Sequence, residues 1–377
     1  MMHMRKLGEV AEVVMGQAPA GSSYNNDGVG LPLVAGAGDF GEMYPEVKKY
    51  TSQPSKISQP GDIILGIRAS IGEKVLSDKE YCLGRGVAGV RAADSIDGQY
   101  LWHCLEYVAP ALKSKGRGAT FLQVNRNDIC SLEIPLPPLK EQKRIAKILD
   151  AADALRAKRR ESLAQLDALL QSTFLDLFGD PAANPKAWAV SSIGDVCEVG
   201  TGSTPSRNNK ENFSGKVPWV KSTEVDWGVI FDTGEKVSEI GVSNARLKTF
   251  PKGSLVVALY GQGKTRGKCA ILGIEAAMNQ ACAGIYPNEH LRKEYLFYVL
   301  KQSYLRLRGE ARGGNQENLN LSLLKSFSIP VPPVSLQDKF SRSCEVVNAQ
   351  KKWLVDHQKG LESLFLSLQQ RAFSGEL

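Results

Sequence analysis

Ile134–Leu139 reads IPLPPL and Ile329–Val334 reads IPVPPV, each at the head of a long charged segment. The second run follows the first by 195 positions. The same offset lays Tyr100-Leu101-Trp102 on Tyr295-Leu296-Phe297 and Ala88-Gly89-Val90 on Ala283-Gly284-Ile285. It also lays Gly118 on Gly313, Asn125 on Asn320, Gln142 on Gln337 and Phe178 on Phe373. Nearer the N-terminus the offset is 186, where LGEVAEVVMGQAP (Leu7–Pro19) lies over IGDVCEVGTGSTP (Ile193–Pro205). The second copy therefore carries about nine additional residues between these blocks. Several separated blocks agree on one register, so the chain is a tandem duplication of a unit of roughly 190 residues, too long for a solenoid repeat.

The prolines divide each copy. Proline fixes φ and lacks an N–H, so Pro135, Pro137 and Pro138 neither continue a strand nor begin mid-helix, and the chain there is extended. Before them, short β-branched runs such as GDIILGI (Gly61–Ile67) and GSLVVALY (Gly253–Tyr260) read as strands bounded by Gly and Pro. Tyr100–Val108 and Tyr295–Gln302 have helical spacing of Leu and aromatics. After them, apolar residues recur at 145, 148, 152, 155, 163, 166, 170, 174 and 177, with no Pro or Gly until Gly179. Gaps of three and four predict a coiled-coil helix of about 40 residues, near 60 Å long, whose seam Arg159 interrupts. The second copy offers Val347, Leu354, Leu361, Leu364 and Leu368, with Gln350 and His357 between them as polar seam residues that set register.

Two helices of matched length can bury their apolar stripes on each other, and the duplication implies an antiparallel pairing with pseudo-twofold character. The expected fold class is therefore α/β (α+β) globular domains alternating with long helices. The expected boundaries are a globular domain over 1–137, a helical region over 138–180, a second globular domain over 181–332 and a second helical region over 333–377.

With 377 residues, 42% of them hydrophobic, the chain has room for two or three domains. A net charge of +7 and a pI near 8.9 are compatible with nucleic acid without demanding it. No run approaches 18 apolar residues and the start has no apolar core of signal-peptide length, so the expectation is a cytoplasmic protein with no membrane partner. The seven cysteines form no C-x-x-C pair and read as buried reduced thiols, and the four histidines are too dispersed for a metal site.

Catalytic motifs are scarce. ALYGQGKT (Ala258–Thr265) echoes a phosphate loop but has Ala where the first Gly of G-x-x-x-x-G-K-[ST] belongs. No G-x-G-x-x-G opens a βαβ unit, no Asn/Asp-Pro-Pro-aromatic tetrad of an amino-methyltransferase occurs, and NPKAW (Asn184–Trp188) reads as a linker turn. What recurs in both copies is Gly-rich, cationic, amide-rich loop: LKSKGRGATFLQVNRND (Leu112–Asp128) against LRLRGEARGGNQENLNLS (Leu305–Ser322), and GIRASIGEK (Gly66–Lys74) against YGQGKTRGK (Tyr260–Lys268). A third pair is QAPAGSSYNND (Gln17–Asp27) and TGSTPSRNNKENF (Thr201–Phe213). Arg forks onto guanine O6 and N7, Asn and Gln onto adenine N6 and N7, and Lys onto phosphate. Any one of these loops taken singly reads first as a solvated hairpin turn; together, at matched places with different letters, they suit a DNA target in two parts. The candidates are Arg68, Arg117, Gln123, Asn125 and Arg126 in the first domain, and Tyr260, Lys264, Arg266, Arg312, Asn315, Gln316, Asn318 and Asn320 in the second. Lys140, Lys143, Arg144, Lys147, Arg156, Lys158, Arg159 and Arg160 crowd the first helix, where they face either phosphates or solvent.

IPLPPLKEQKRIAKILD, LLQSTFLDLFGDPAANPKAW, GGNQENLNLSLLKSFSIPVPP and the end through QRAFSGEL together resemble the specificity (S) subunit of Type I restriction–modification systems, over essentially the whole chain. The resemblance implies two target recognition domains, each reading one half of a split double-stranded DNA sequence. It implies an antiparallel coiled coil that sets the gap and docks methyltransferase (M) subunits; as with two-fold DNA readers generally, the half-sites are expected about one helical turn apart. S-adenosylmethionine would then belong to the M subunits and ATP to separate restriction (R) subunits, with no cofactor and no chemistry on this chain. The first domain departs from the pattern, since GATFLQVNRND lacks the amide-rich run of GGNQENLN. Two rivals remain: a coiled-coil adaptor that reads no DNA, and a fused methyltransferase or nuclease.

Overall fold

The computed structural model of the chain describes residues 3–118, 122–261, 263–311 and 318–377. Compact packing divides it into two units that do not follow chain order: Met1–Arg160 with Asp356–Leu377, and Glu161–Val355. Each unit is a globular domain together with parts of two long helices, Leu139–Phe178 and Val334–Ser374. Among the described residues no helix is long and apolar enough to cross a membrane.

In the first unit, strands Ala11–Met15, Val87–Ala92, Ile63–Gly66 and Lys74–Leu76 form an antiparallel sheet in that order. Side chains alternate across a strand, and Ile63–Gly66 is buried on both faces: Ile63 and Leu65 pack with helix Gly98–Ser114, Ile64 with Val34, Val75, Tyr81 and Leu83. That helix starts where Asp97 accepts the backbone N–H groups of Gln99 and Tyr100, both at 3.1 Å. A smaller sheet of Tyr24–Asn25, Tyr50–Thr51, Leu31–Val34 and Cys82–Leu83 lies beyond. Strand Met4–Lys6 pairs with Glu133–Pro135, so the first proline of IPLPP ends a short strand rather than standing in merely extended chain. Proline is tolerated in a strand at such an edge, where its missing N–H breaks no ladder.

The junction that follows explains the repeated motif. Gln142 is buried; its Oε1 accepts from Asp97 N at 2.8 Å, and its Nε2 donates to Ser95 O at 3.1 Å and Pro137 O at 2.8 Å. Tyr100 Oη donates to Pro135 O at 2.9 Å. The helix start is thus tied to the sheet by one amide and one phenol. Within this unit the two helix segments run antiparallel, with Arg144 donating to Leu377 O at 2.6 Å and Arg156 to Glu362 at 2.6 Å. Phe365, Ala372 and Phe373 join Ile145 and Leu149 in the core, and Phe373 meets Tyr100 edge-on at 5.7 Å.

The second unit repeats this plan. Val199–Thr201, Cys282–Ile285, Leu255–Ala258 and Cys269–Leu272 are antiparallel, and Val229–Ile230 adds a parallel fifth strand. Val190–Ser192 pairs with Ser328–Pro330. Gln337 accepts from Arg292 N at 2.8 Å and donates to His290 O and Pro332 O; Tyr295 Oη donates to Pro330 O at 2.8 Å. Phe174, Phe178, Tyr295, Tyr298 and Phe340 form an aromatic cluster, and Lys351 pairs with Asp167 at 2.6 Å across antiparallel helix segments. Register also locates the additional residues of this copy. Ile63 pairs with Val90 as Leu255 pairs with Ile285, an offset of 192 at the strand; Leu76 answers Ile271 at 195. Three of the extra residues therefore lie in the turn after the strand and the rest before it.

The helix seams keep the expected Ile145, Ala152, Leu170, Phe174 and Val347 buried and depart from the periodicity reading by one position at a few turns. Leu149 and Arg156, not Ile148 and Leu155, take the inward places; Leu155 is 51% exposed, while Arg156 binds Asp153 and Glu362 and lies 4.2 Å over the Phe365 ring. A long guanidinium stem can fill a seam position and still find carboxylates at the rim. On the second helix Phe365 replaces Leu364, and Gln350 and His357 sit on the exposed side. Six of the seven cysteines are buried and all seven are unpaired as thiols.

Candidate nucleic-acid interface

One weave of backbone hydrogen bonds builds the candidate surface of the first unit. Gly16 N donates to Val87 O (3.0 Å), Gln17 N to Leu83 O (2.8 Å), Gly84 N to Val34 O (2.8 Å) and Gly86 N to Ala35 O (2.9 Å). Ile67 N reaches Gly86 O and Val124 N reaches Ile67 O, each at 3.0 Å. Arg117 and Gln123 exchange two backbone bonds of 3.0 and 2.9 Å, and residues 119–121 between them lie outside the described residues. Such an approach leaves no room at Gly16, where a Cβ would meet Gly84 O at 2.0 Å.

This weave frames a cleft of about 310 Å³ lined by Arg68, Arg85, Arg117, Gln123, Asn125 and Asp128 among others. A second opening of about 480 Å³ adjoins it and shares Arg68 and Arg85, with Tyr24 on its far side. Arg117 donates to Asp128 Oδ1 at 3.1 Å, which aims it along the cleft wall. Among the described residues neither Arg68 nor Arg85 has a hydrogen-bond or ion-pair partner. The sequence reading thus finds Arg68, Arg117, Gln123 and Asn125 gathered at one place, while Arg126 is exposed but does not line the cleft.

Asn125 and Asn320 have a role that sequence did not reveal. Asn125 Oδ1 accepts from Asp128 N at 3.0 Å while Asp128 Oδ2 accepts from Asn125 N at 2.9 Å, a reciprocal cap on helix Arg126–Cys130. Asn320 Oδ1 accepts from Leu323 N at 2.8 Å and caps Leu321–Ser326. At both positions the amide oxygen accepts one hydrogen bond from the helix, and its second lone pair and the amide N–H groups remain. Their coincidence at the 195 offset follows from capping equivalent helices.

In the second unit, Tyr260 is exposed at the end of strand Leu255–Ala258, and Lys264 projects from the turn that follows. That turn is held from helix Tyr304–Gly309: Tyr304 Oη donates to Lys264 O at 2.6 Å, and Arg308 donates to Arg266 O at 2.8 Å and Gly263 O at 3.0 Å. Gly263 (φ +59°) and Gly267 (φ +85°) occupy the left-handed region that glycine alone enters without strain, so the glycines of GQGKTRG serve a tight turn. Arg266 is half-buried there. Asn318 is half-buried beside Leu319, whose N–H donates to Leu259 O at 3.1 Å. Arg312, Asn315 and Gln316 lie outside the described residues.

The loop over 201–213 is largely scaffold. Arg207 pairs with Glu235 at 2.8 Å and stacks on Phe213, and Trp219 Nε1 donates to Ser203 O. Hydrogen bonds from Lys221 and Arg207 hold the Glu235 carboxyl below its usual range. Arg85 is the residue sequence reasoning missed. Its signal was present, because the 195 offset that matches Ala88-Gly89-Val90 also places Arg85 on Gln280.

Comparison with known proteins gives one answer throughout. A family profile described as the Type I restriction modification DNA specificity domain matches residues 2–166 and 185–343. The putative Type I restriction enzyme MjaX specificity subunit of Methanocaldococcus jannaschii is 38% identical over 157 residues, 41% of this chain and 37% of that protein's length. The MjaIX specificity subunit of the same organism is 22% identical over 323 residues, 80% of this chain and 75% of its own. Among solved structures, the S subunit of a Type I restriction–modification system from M. genitalium shares the fold with a TM-score of 0.59 at 16% identity, covering 99% of this chain and 96% of that one.

Proposed function

The chain belongs to the Type I restriction–modification DNA specificity family, and from that premise we propose that each of its two units reads one half of a two-part duplex target. The observation that carries this reading is the gathering of Arg68, Arg85, Arg117 and Gln123 around one cleft on a rigid backbone frame. Guanidinium forks and amides in that setting match base edges, and the neighbouring cations offset phosphate charge. Lys264 and Asn318 take the corresponding part in the second unit, with Arg266, Arg312, Asn315 and Gln316 from the same loops.

The helices are the docking surface for methyltransferase partners, supported by Leu155, Leu169, Val346 and Leu366, which stand exposed outside the seams. On this reading the chain itself performs no chemistry. S-adenosylmethionine is bound by the methyltransferase subunits and ATP by restriction subunits, and the assembly acts in the cytoplasm. Binding to duplex falls steeply with salt, as counterion release from several phosphates requires.

The deciding experiment is modification-sensitive sequencing of the host genome with this reading frame intact and disrupted. A two-part methylated motif with a fixed unread gap should vanish on disruption. A methylome that keeps such a motif unchanged overturns the reading.

A further inference from the structure

Resting on that reading, we infer that the turn residue Arg85 in the first unit, and Gln280 at the same place in the second, is a base-reading position that gives the two half-sites different letters. Arg85 sits between Gly84, whose N–H is bound to Val34 O at 2.8 Å, and Gly86, whose N–H is bound to Ala35 O and whose carbonyl receives Ile67 N. Val87 N closes the turn onto Gly84 O at 3.3 Å. In the second unit Asn279 N binds Val220 O at 2.9 Å, Leu259 N binds Ala281 O at 2.8 Å, and Cys282 N closes the same turn onto Asn279 O at 3.1 Å. Ser203 N reaches Met278 O where Gln17 N reaches Leu83 O, and Leu319 N reaches Leu259 O where Val124 N reaches Ile67 O. Two copies thus hold one residue at one point of one turn.

Around that point the copies agree where packing leaves no choice. A Cβ on Gly16 would meet Gly84 O at 2.0 Å, and a Cβ on its counterpart Gly202 would meet Met278 O at 1.9 Å. The tip itself is exposed in both units, so packing does not dictate it. What differs there is Arg against Gln. A position needed only to neutralise phosphate would keep a cation in both copies. A position that keeps a planar, two-pronged hydrogen-bonding group while changing its charge matches base reading instead, with the Arg fork on guanine O6 and N7 and the Gln amide on adenine N6 and N7. Arg85 has no partner among the described residues and lines both openings, so no described protein group competes for its fork. Gln280 is oriented by Thr204, whose hydroxyl donates to its Oε1. The second lone pair of that oxygen and the amide N–H groups remain for a base.

The test uses the full chain, alone and with its methyltransferase partner, on a duplex library with two randomised blocks, reading the bound fraction by sequencing. Arg85→Gln should abolish the preference for guanine at one position of one half-site, a change in discrimination of about 5- to 150-fold at that position, and leave the other half-site as it was. Gln280→Arg should alter one position of the other half-site only. Urea midpoints of both variants should match the parent, since each side chain is exposed. Equal weakening on all sequences with a shallower salt slope would make Arg85 a phosphate contact and overturn the inference while leaving the proposed function standing, and so would an unchanged preference. Failure of the parent chain to select any sequence, with or without the partner, would overturn the proposed function and this inference together.

Discussion

Replacing Gln142 with Leu tests whether the proline-to-helix junction is held as its geometry indicates. The substitution keeps the volume and removes three hydrogen bonds: one accepted from Asp97 N at 2.8 Å, and two donated to Ser95 O at 3.1 Å and Pro137 O at 2.8 Å. Net contributions of about 1 kcal/mol each give a destabilisation of roughly 3 kcal/mol, the groups left behind being only partly shielded from water. With a urea slope near 2 kcal/mol per molar, that moves the midpoint of the first unit's transition down by about 1.5 M. The assay is urea unfolding followed by far-ultraviolet circular dichroism, with hydrogen exchange to locate the loss. Protection should fall at the start of helix Gly98–Ser114 and at the first turns of Leu139–Phe178. Gln337→Leu is the internal control, because it removes the equivalent bonds to Arg292, His290 and Pro332 and should act on the second unit. A midpoint shift below about 0.5 M for both variants would refute the view that these amides tie helix to sheet.

Asn125→Ala should cost about 1 kcal/mol in urea unfolding while Asn125→Ser stays within a few tenths of the parent, since serine also caps. An alanine variant as stable as the parent would refute the capping role. For the thiols, burial pushes Cys104, Cys269 and Cys282 far above the ordinary range and Cys344 up to about 12. A thiol reagent at pH 8 should therefore label no more than the half-buried Cys130 in the native chain and all seven in denaturant. Because folding raises these values, their stabilising contribution is full below the ordinary thiol value of 9.0 and is lost as pH rises above it. Fast native labelling of several thiols, or no loss of stability above that pH, would contradict the burial.

The duplication, the strand cores and the two long helices were legible because each rests on a pattern the backbone enforces. Ile63-Ile64-Leu65 is apolar on both faces and is a sheet interior with clusters on both sides. The helix seam was legible at Ile145, Ala152, Leu170, Phe174 and Val347, all buried, but not at every turn. Ile148 and Leu155 are apolar and fit the spacing, yet Arg156 takes the inward place because Asp153, Glu362 and the Phe365 ring supply partners that no pattern of apolar letters can announce. The same limit applied to the site. Arg68, Arg117, Gln123 and Asn125 were picked from composition and line one cleft, but the capping of helices by Asn125 and Asn320 was not legible. Arg85 sat in a short glycine turn that carries no motif, and only the backbone weave brings it beside Arg68.

The offset between the copies separates two kinds of position, and that separation explains how one scaffold can serve two targets. Gln142 and Gln337, Tyr100 and Tyr295, and Gly16 and Gly202 are identical because each is buried or pressed against a carbonyl, where a change leaves a polar group unpaired or forces backbone apart. Arg85 and Gln280 or Arg68 and Tyr260 differ because they stand at the rim of that frame, where substitution costs the fold little. The turn after the central strand, three residues longer in the second copy, belongs to the same rim and is clamped there by Tyr304 and Arg308. On the proposed function, stability and specificity are carried by different residues, so that rim positions change what is read without loosening the frame that presents them. A rim substitution that lowered the urea midpoint as much as Gln142→Leu would break this separation.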